Sequence, residues 1–167
     1  MTRKKSKLRT RLTKQRKSFS KFLAVFEKQV ELAATEANKE IAKQFTDEAK
    51  EVIENQLYNW EPLKDEYLDS KIKKGYDPRT LIRTREYLES ISWGVTQGRV
   101  WAGIPAQKIH QGSGLPVRVL ARIHEFGTAT IPPRPLWRPL LSKYIQQKPE
   151  FGRRYRKAVA RAVKKAT

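Results

Sequence analysis

Cysteine is absent from this chain of 167 residues, which excludes disulfides, thiolate-bound metal and cysteine redox chemistry, and with them zinc-finger architectures. Histidine occurs only twice, leaving little material for a metal centre or an imidazole base. No run approaches the roughly 18 apolar residues that span a bilayer, and the N-terminus lacks the apolar core of a secretory signal. The expectation is a soluble protein, intracellular in the cell that makes it. Glycine and proline are both missing from Ser18 to Asn59, so nothing in that stretch interrupts a helix.

Positive charge is abundant. The net charge is +19, and it is unevenly spread. Residues 1–21 hold ten basic residues and no acid, and residues 148–167 hold eight basic residues against Glu150, so these two ends carry 17 of the 19 charges. The middle is almost neutral. Such a division describes a balanced globular body with two basic ends, unlike a base-reading domain with a charged folded face. A polyanion suits the ends, because each phosphate neutralised releases counterions without any base being read. A solvated tail that only aids solubility is the other reading. The candidate polyanion contacts are Arg3, Lys4, Lys5, Lys7, Arg9, Arg11, Arg153, Arg154, Arg156 and Lys157. Leu8 and Leu12 are too few to anchor residues 1–17 as an amphipathic membrane segment.

From Phe19 through Phe22, Phe26, Val30, Ala33, Ala37, Ile41, Phe45 and Ala49 to Leu57, apolar residues recur at three- and four-residue steps, predicting a long amphipathic helix. At about 40 residues it would be about 60 Å long, so either it breaks near Phe45 and Thr46 or part of it packs on a neighbouring subunit. Its mixture of Phe, Val and Ala favours packing on a sheet over a dimeric coiled coil. Pro62 is placed to open a short helix that Gly75 stops, and Leu81, Ile82, Tyr87, Leu88 and Ile91 suggest another. Ile91–Thr96 and Arg99–Ile104 read as a hairpin across Gln97-Gly98. Residues 106–116 form a polar loop. Val117–Phe126 fits a helix closed by Gly127, the prolines at 132, 133 and 135 exclude helix or central strand, and Leu136–Ile145 resumes a helical pattern. The architecture expected is α+β: a long N-terminal helix packed on a small antiparallel sheet, with additional short helices. The domain plan is a basic tail at 1–17, one domain at 18–147 and a basic helical extension at 148–167.

The residues that could carry chemistry do not assemble into a motif. His124-Glu125 begins like a zinc-protease helix, but Thr128 stands where a second histidine is required. His110 sits in the glycine-rich loop with no acid near in sequence and reads as an exposed loop histidine. Gly112 and Gly114 lack the Gly-Lys-Ser/Thr ending of a phosphate loop, and Ser90, Ser92 and Ser113 lack an elbow frame. Asp65, Glu66, Asp69 and Glu125 are available to a metal-dependent nuclease, yet their spacing fits helix surface equally well. Trp60, Trp93, Trp101 and Trp137 read as core or interface anchors more readily than as base-stacking platforms. No catalytic residue, metal ligand or cofactor is called for, and the chain is expected not to be an enzyme.

A series of landmarks runs from Trp60-x-Pro62-Leu63 through Tyr67, Lys71, Gly75, Leu81-Ile82-Arg83-Thr84, Tyr87-Leu88, Ser90-Ile91 and Val100-Trp101-Ala102-Gly103. It ends with Ile123-His124-Glu125-Phe126-Gly127-Thr128, Ile131-Pro132-Pro133-Arg134-Pro135-Leu136 and Leu140-Leu141. In this order the chain resembles the tailed-phage virion-morphogenesis and tail-completion family, which includes neck proteins at the head–tail junction. It departs at Arg85, where similar proteins often carry glycine after the threonine. The resemblance implies a structural virion protein, one subunit of a homo-oligomeric ring joining the head connector to the tail. Such a subunit would be assembled in the host cytoplasm and carried in the virion. Its partners would be further copies of itself, connector or head-completion proteins and tail proteins, with DNA passing through the lumen as an unspecific contact. A sequence-nonspecific nucleic-acid-binding protein is the alternative. By their own chemistry Phe126, Gly127, Pro132, Pro133, Arg134 and Pro135 form a stiff arm suited to an intersubunit contact, with Arg134 as a bidentate donor. The other reading is a loop routed over the chain's own domain, with Arg134 paired to a carboxylate such as Glu125.

Overall fold

The computed structural model describes the backbone of residues 2–166 and the side chains of residues 20–157, 160, 161 and 164. Its elements follow in the order α1 (Thr2–Glu54), α2 (Asp65–Lys73), α3 (Glu86–Ser90), β1 (Ser92–Thr96), β2 (Arg99–Gly103), α4 (Val117–Phe126), α5 (Trp137–Gln146) and α6 (Lys148–Ala166). The class is mixed helix and strand: a long N-terminal helix, one two-stranded antiparallel sheet and several short helices. Asn38–Pro149 forms one compact unit; α1 up to Ala37, with the chain from Glu150 onward, forms another. No described helix is long and apolar enough to cross a membrane.

Helix α1 does not break at Phe45 and Thr46. Thr46 is buried and turns its hydroxyl back onto the carbonyls of Ala42 and Lys43, at 3.1 and 2.9 Å. This satisfies a polar group inside the helix and removes the reason to interrupt it. The end comes at Glu54, short of Asn59, where Gln56 turns to a φ of 50°. The Gln56 amide donates to the Thr80 carbonyl and accepts from the Thr80 N–H, both at 3.0 Å, tying the helix exit to the segment before α3.

Within the Asn38–Pro149 unit, α1 buries Ala42, Ala49, Val52 and Ile53. Phe45 and Glu48 tie it to α5. Phe45 stacks on Trp137 with centroids 6.1 Å apart and meets Tyr144 edge-on at 5.0 Å, while Lys143 pairs with Glu48. Ile82, Leu88, Ile91, Val117, Leu136 and Leu140 are buried as well, each such side chain stabilising by about 1.5–3 kcal/mol through burial.

Helix α2 begins at Asp65, three residues beyond Pro62, with Asp65 and Glu66 in its positive first turn and Lys71 and Lys73 in its last. Gly75, at a φ of 71°, follows its end. The second short helix is confined to Glu86–Ser90, because Leu81 and Arg85 have φ of 62° and 65° and lie outside helical geometry. Arg85 thus occupies a left-handed conformation that glycine takes without steric cost, and its guanidinium reaches Glu54 at 2.7 Å.

The hairpin is formed as expected. Gln97 and Gly98, at φ of 50° and 74°, make the two-residue turn that matches strand twist, and Gly94 pairs with Trp101 and Val95 with Val100. A Cβ on Gly94 would lie 2.8 Å from the Trp101 ring, so any other residue there would have to push that indole off the strand. The loop after β2 closes on itself through an isolated bridge between Ile109 and Pro116.

Candidate functional site

Helix α4 shows why a charged residue can sit in the core. Val117, Ala121 and Glu125 recur every four residues and are buried, with Leu120 and His124 half-buried beside them. His124-Glu125 therefore lies on the inward stripe. The Glu125 residue is 4% exposed, and its carboxylate accepts the N–H groups of Leu136, Trp137 and Arg138 at 2.8–2.9 Å. These are the donors that the start of α5 leaves without intrahelical partners. The Arg138 guanidinium donates to the same carboxylate at 3.1 Å and to the Glu125 carbonyl. Burial alone would raise the Glu125 pKa, but the Trp137, Arg138 and Leu136 N–H groups and the Arg138 side chain together hold it below the ordinary glutamate value. Glu125 is a cap for another helix.

The segment from Gly127 to Leu136 is strapped down by backbone geometry. Gly127, at a φ of 73°, donates its N–H to Ile123, and a Cβ there would sit 2.7 Å from the Ile131 carbonyl. Thr128 N–H bonds the Ile131 carbonyl at 2.8 Å, and Arg134 N–H bonds the His124 carbonyl. Arg134 does not project from the arm and does not pair with Glu125. It is 6% exposed, and its guanidinium donates to the carbonyls of Glu61 and Pro62 at 3.1 and 3.3 Å. Glu125 is already occupied by α5, which leaves Arg134 the carbonyls of the chain passing behind it. The next residue completes the clasp, with the Pro135 carbonyl accepting the Trp60 indole N–H at 2.8 Å.

Around this clasp opens a cleft of about 520 Å³, walled by residues of the 61–67 and 80–85 segments, α2, α4 and the proline arm. Lys71, Arg83 and Arg134 line it, as do His110 and His124. Lys71 is buried, and its ammonium donates to the carbonyls of Arg79 and Ile82 at 2.9 and 2.6 Å. Burial lowers its pKa, only partly countered by the charge of Asp77. His124 packs edge-on to Tyr87 and has no partner for Nδ1. Burial, assisted by the Arg134 charge, depresses its pKa to about 4, so it is neutral at pH 7. Nearby, the Arg79 guanidinium holds the Asp77 carboxyl down at about 2. His110 is not the exposed loop histidine expected. Its Nε2 lies 3.0 Å from Glu86, which is remote in sequence, and its Nδ1 lies 2.9 Å from Ser113 Oγ. Among the described residues no three His, Asp or Glu side chains converge as metal ligands would.

The arm residues divide. Phe126 is 60% exposed under the Arg138 guanidinium, 4.8 Å from its ring centre; Pro133 is exposed; Pro132 and Pro135 are half-buried; Arg134 is inside. Of the basic candidates, Arg153, Arg154, Arg156 and Lys157 stand exposed on α6, with Arg154 paired to Glu150 at 2.7 Å. Arg3, Lys4, Lys5, Lys7, Arg9 and Arg11 fall on the helical backbone of α1, and their side chains lie outside the described residues. Sequence reading missed the capping role of Glu125, although its four-residue spacing from Ala121 and Val117 was the available signal.

No protein-family model, curated protein or solved structure matches this chain.

Proposed function

We propose that this chain is a non-enzymatic structural subunit of a tailed-phage virion, a neck or tail-completion protein that acts as one member of a homo-oligomeric ring joining head connector to tail. The order of sequence landmarks from Trp60 to Leu141 supports the placement. The structural observation that carries the reading is a partition of groups. Glu125, Lys71 and Arg134, which could act on a substrate, are engaged with backbone atoms of the chain itself. Large apolar side chains, among them Phe126, Trp93 and Val95, stand exposed instead. The apolar face that Trp93 and Val95 share on β1 suits a contact with another protein. The basic residues of α6 suit an unspecific phosphate contact with DNA in a lumen.

Light scattering on the purified chain at low and high salt, with and without short duplex DNA, tests this reading. A discrete multimer in the absence of DNA is expected. A strict monomer with tight, salt-sensitive DNA binding would overturn the proposal in favour of a free nucleic-acid-binding protein. Placement at the junction is tested separately: heads and tails assembled without this chain should join only when it is added.

A further inference from the structure

The hairpin leaves unsatisfied what a sheet normally satisfies. The sheet has two strands, so each strand keeps one edge without a partner strand. Counted outward from the two-residue turn, Thr96 and Arg99, Gly94 and Trp101, and Ser92 and Gly103 are the hydrogen-bonded pairs of the register. The peptide groups of Trp93, Val95, Val100 and Ala102 therefore point away from the partner strand. Among the described residues no backbone hydrogen bond from outside the hairpin reaches Ser92–Gly103.

Those same four residues share one face of the sheet, and the face is entirely apolar. Trp93 is 37% and Val95 44% exposed, Ala102 is exposed and Val100 half-buried. A solvated sheet face normally alternates to polar residues, and an open edge is normally protected by charge or proline. Here the face carries no polar residue, neither strand holds proline, and the edges have one charge, Arg99 at the turn end of β2. Arg99 is the single charged residue between Ser90 and Gln107.

We propose that the hairpin is the self-assembly surface of this chain, with β2 of one copy pairing against β1 of the next. The inference rests on the ring reading and names the contact within it. The occupant follows from charge. Two copies of this chain must keep apart the two basic ends, which hold 17 of its 19 net charges, and the hairpin offers a stretch with almost no charge, and with two complementary free edges, at which they can meet. Its two free edges are different strands, so the contact is heterologous and repeats from copy to copy until the rotation closes. Rotation about an axis along the strands keeps the alternation antiparallel, because every hairpin carries one strand in each direction. Closure leaves no free edge and joins the Trp93 and Val95 faces into one apolar band.

The test uses the full chain, the variants Val95→Lys and Val100→Pro, and light scattering. Circular dichroism and thermal melting verify that each variant is folded. Lysine places a charge on the exposed face, and proline removes an N–H that the hairpin itself does not use. The wild type is expected to form a multimer, and each folded variant to associate at least about tenfold more weakly. Hydrogen exchange gives a second readout. The Trp93, Val95, Val100 and Ala102 amides should exchange at least about tenfold more slowly in the multimer than in the Val95→Lys monomer. Variants that keep the wild-type mass, with those amides unprotected, overturn the hairpin contact and leave the ring reading standing. A wild-type monomer overturns both. Protection that arises only on adding a different protein identifies a foreign strand as the occupant and also overturns the proposal.

Discussion

The clasp at residues 124–138 and the hairpin at 92–103 treat their polar and apolar groups in opposite ways. In the clasp, Glu125 takes the first N–H groups of α5, Arg134 takes two carbonyls of the 61–62 segment, and Trp60 takes a third carbonyl. Charged side chains there complete the backbone hydrogen bonding of the chain itself. In the hairpin, four residues turn both apolar side chains and peptide groups outward. A buried charge is tolerable only when fully hydrogen-bonded, so the clasp specifies one internal arrangement. The hairpin leaves its outward groups free for water or for the self-assembly contact proposed above. Substitutions in the clasp should therefore act on stability, and substitutions in the hairpin on association.

The largest effect is expected at Glu125. Glu125→Ala strips the acceptor from three N–H groups of α5 and the partner from Arg138, and should cost about 4 kcal/mol in denaturant unfolding. His124 gives the comparison a pH axis. Its folded pKa is about 4 against an ordinary 6.5, so between these values the unfolded chain binds a proton that the folded chain refuses. Stability should fall as pH drops from about 6.5 to about 4, by up to about 3 kcal/mol, and His124→Gln should flatten that window. Asp77, also depressed, to about 2, stabilises above the ordinary aspartate range. Its contribution is lost only as pH falls from about 4 towards about 2, which separates the two windows. Gly127→Ala combines a left-handed φ with a Cβ 2.7 Å from the Ile131 carbonyl and should cost about 2–3 kcal/mol, read as a lower unfolding midpoint. Smallest of all, Val95→Lys in the monomer should change stability by less than about 0.5 kcal/mol while weakening self-association at least about tenfold. A large loss of stability there would erase the contrast between the two regions.

Much of this division was legible residue by residue. The absence of glycine and proline from Ser18 to Asn59 allowed one unbroken helix, and Gln97-Gly98 between two β-rich runs announced the hairpin, because these signals act through neighbours in the chain. Gly127 as a helix stop and the prolines as breakers belong to the same class. Arg85 in a left-handed turn was not legible from its own propensity, since arginine has no local reason to adopt that conformation. Nor was the α1 endpoint at Glu54, which depends on Gln56 meeting Thr80.

The sequence by itself determined the periodic helices, the turn that sets the hairpin register, the uneven charge and the neutrality of the 90–107 stretch, all of which follow from composition and local stereochemistry. Only the tertiary structure decided that Glu125 caps α5, that Arg134 faces inward to Glu61, 73 residues away, that His110 meets Glu86, and that the Trp93 and Val95 face is exposed. The physical reason is that a side chain in the core takes whichever backbone group lacks a partner once the elements pack, and that group is chosen by the chain passing opposite, whose place no local pattern records.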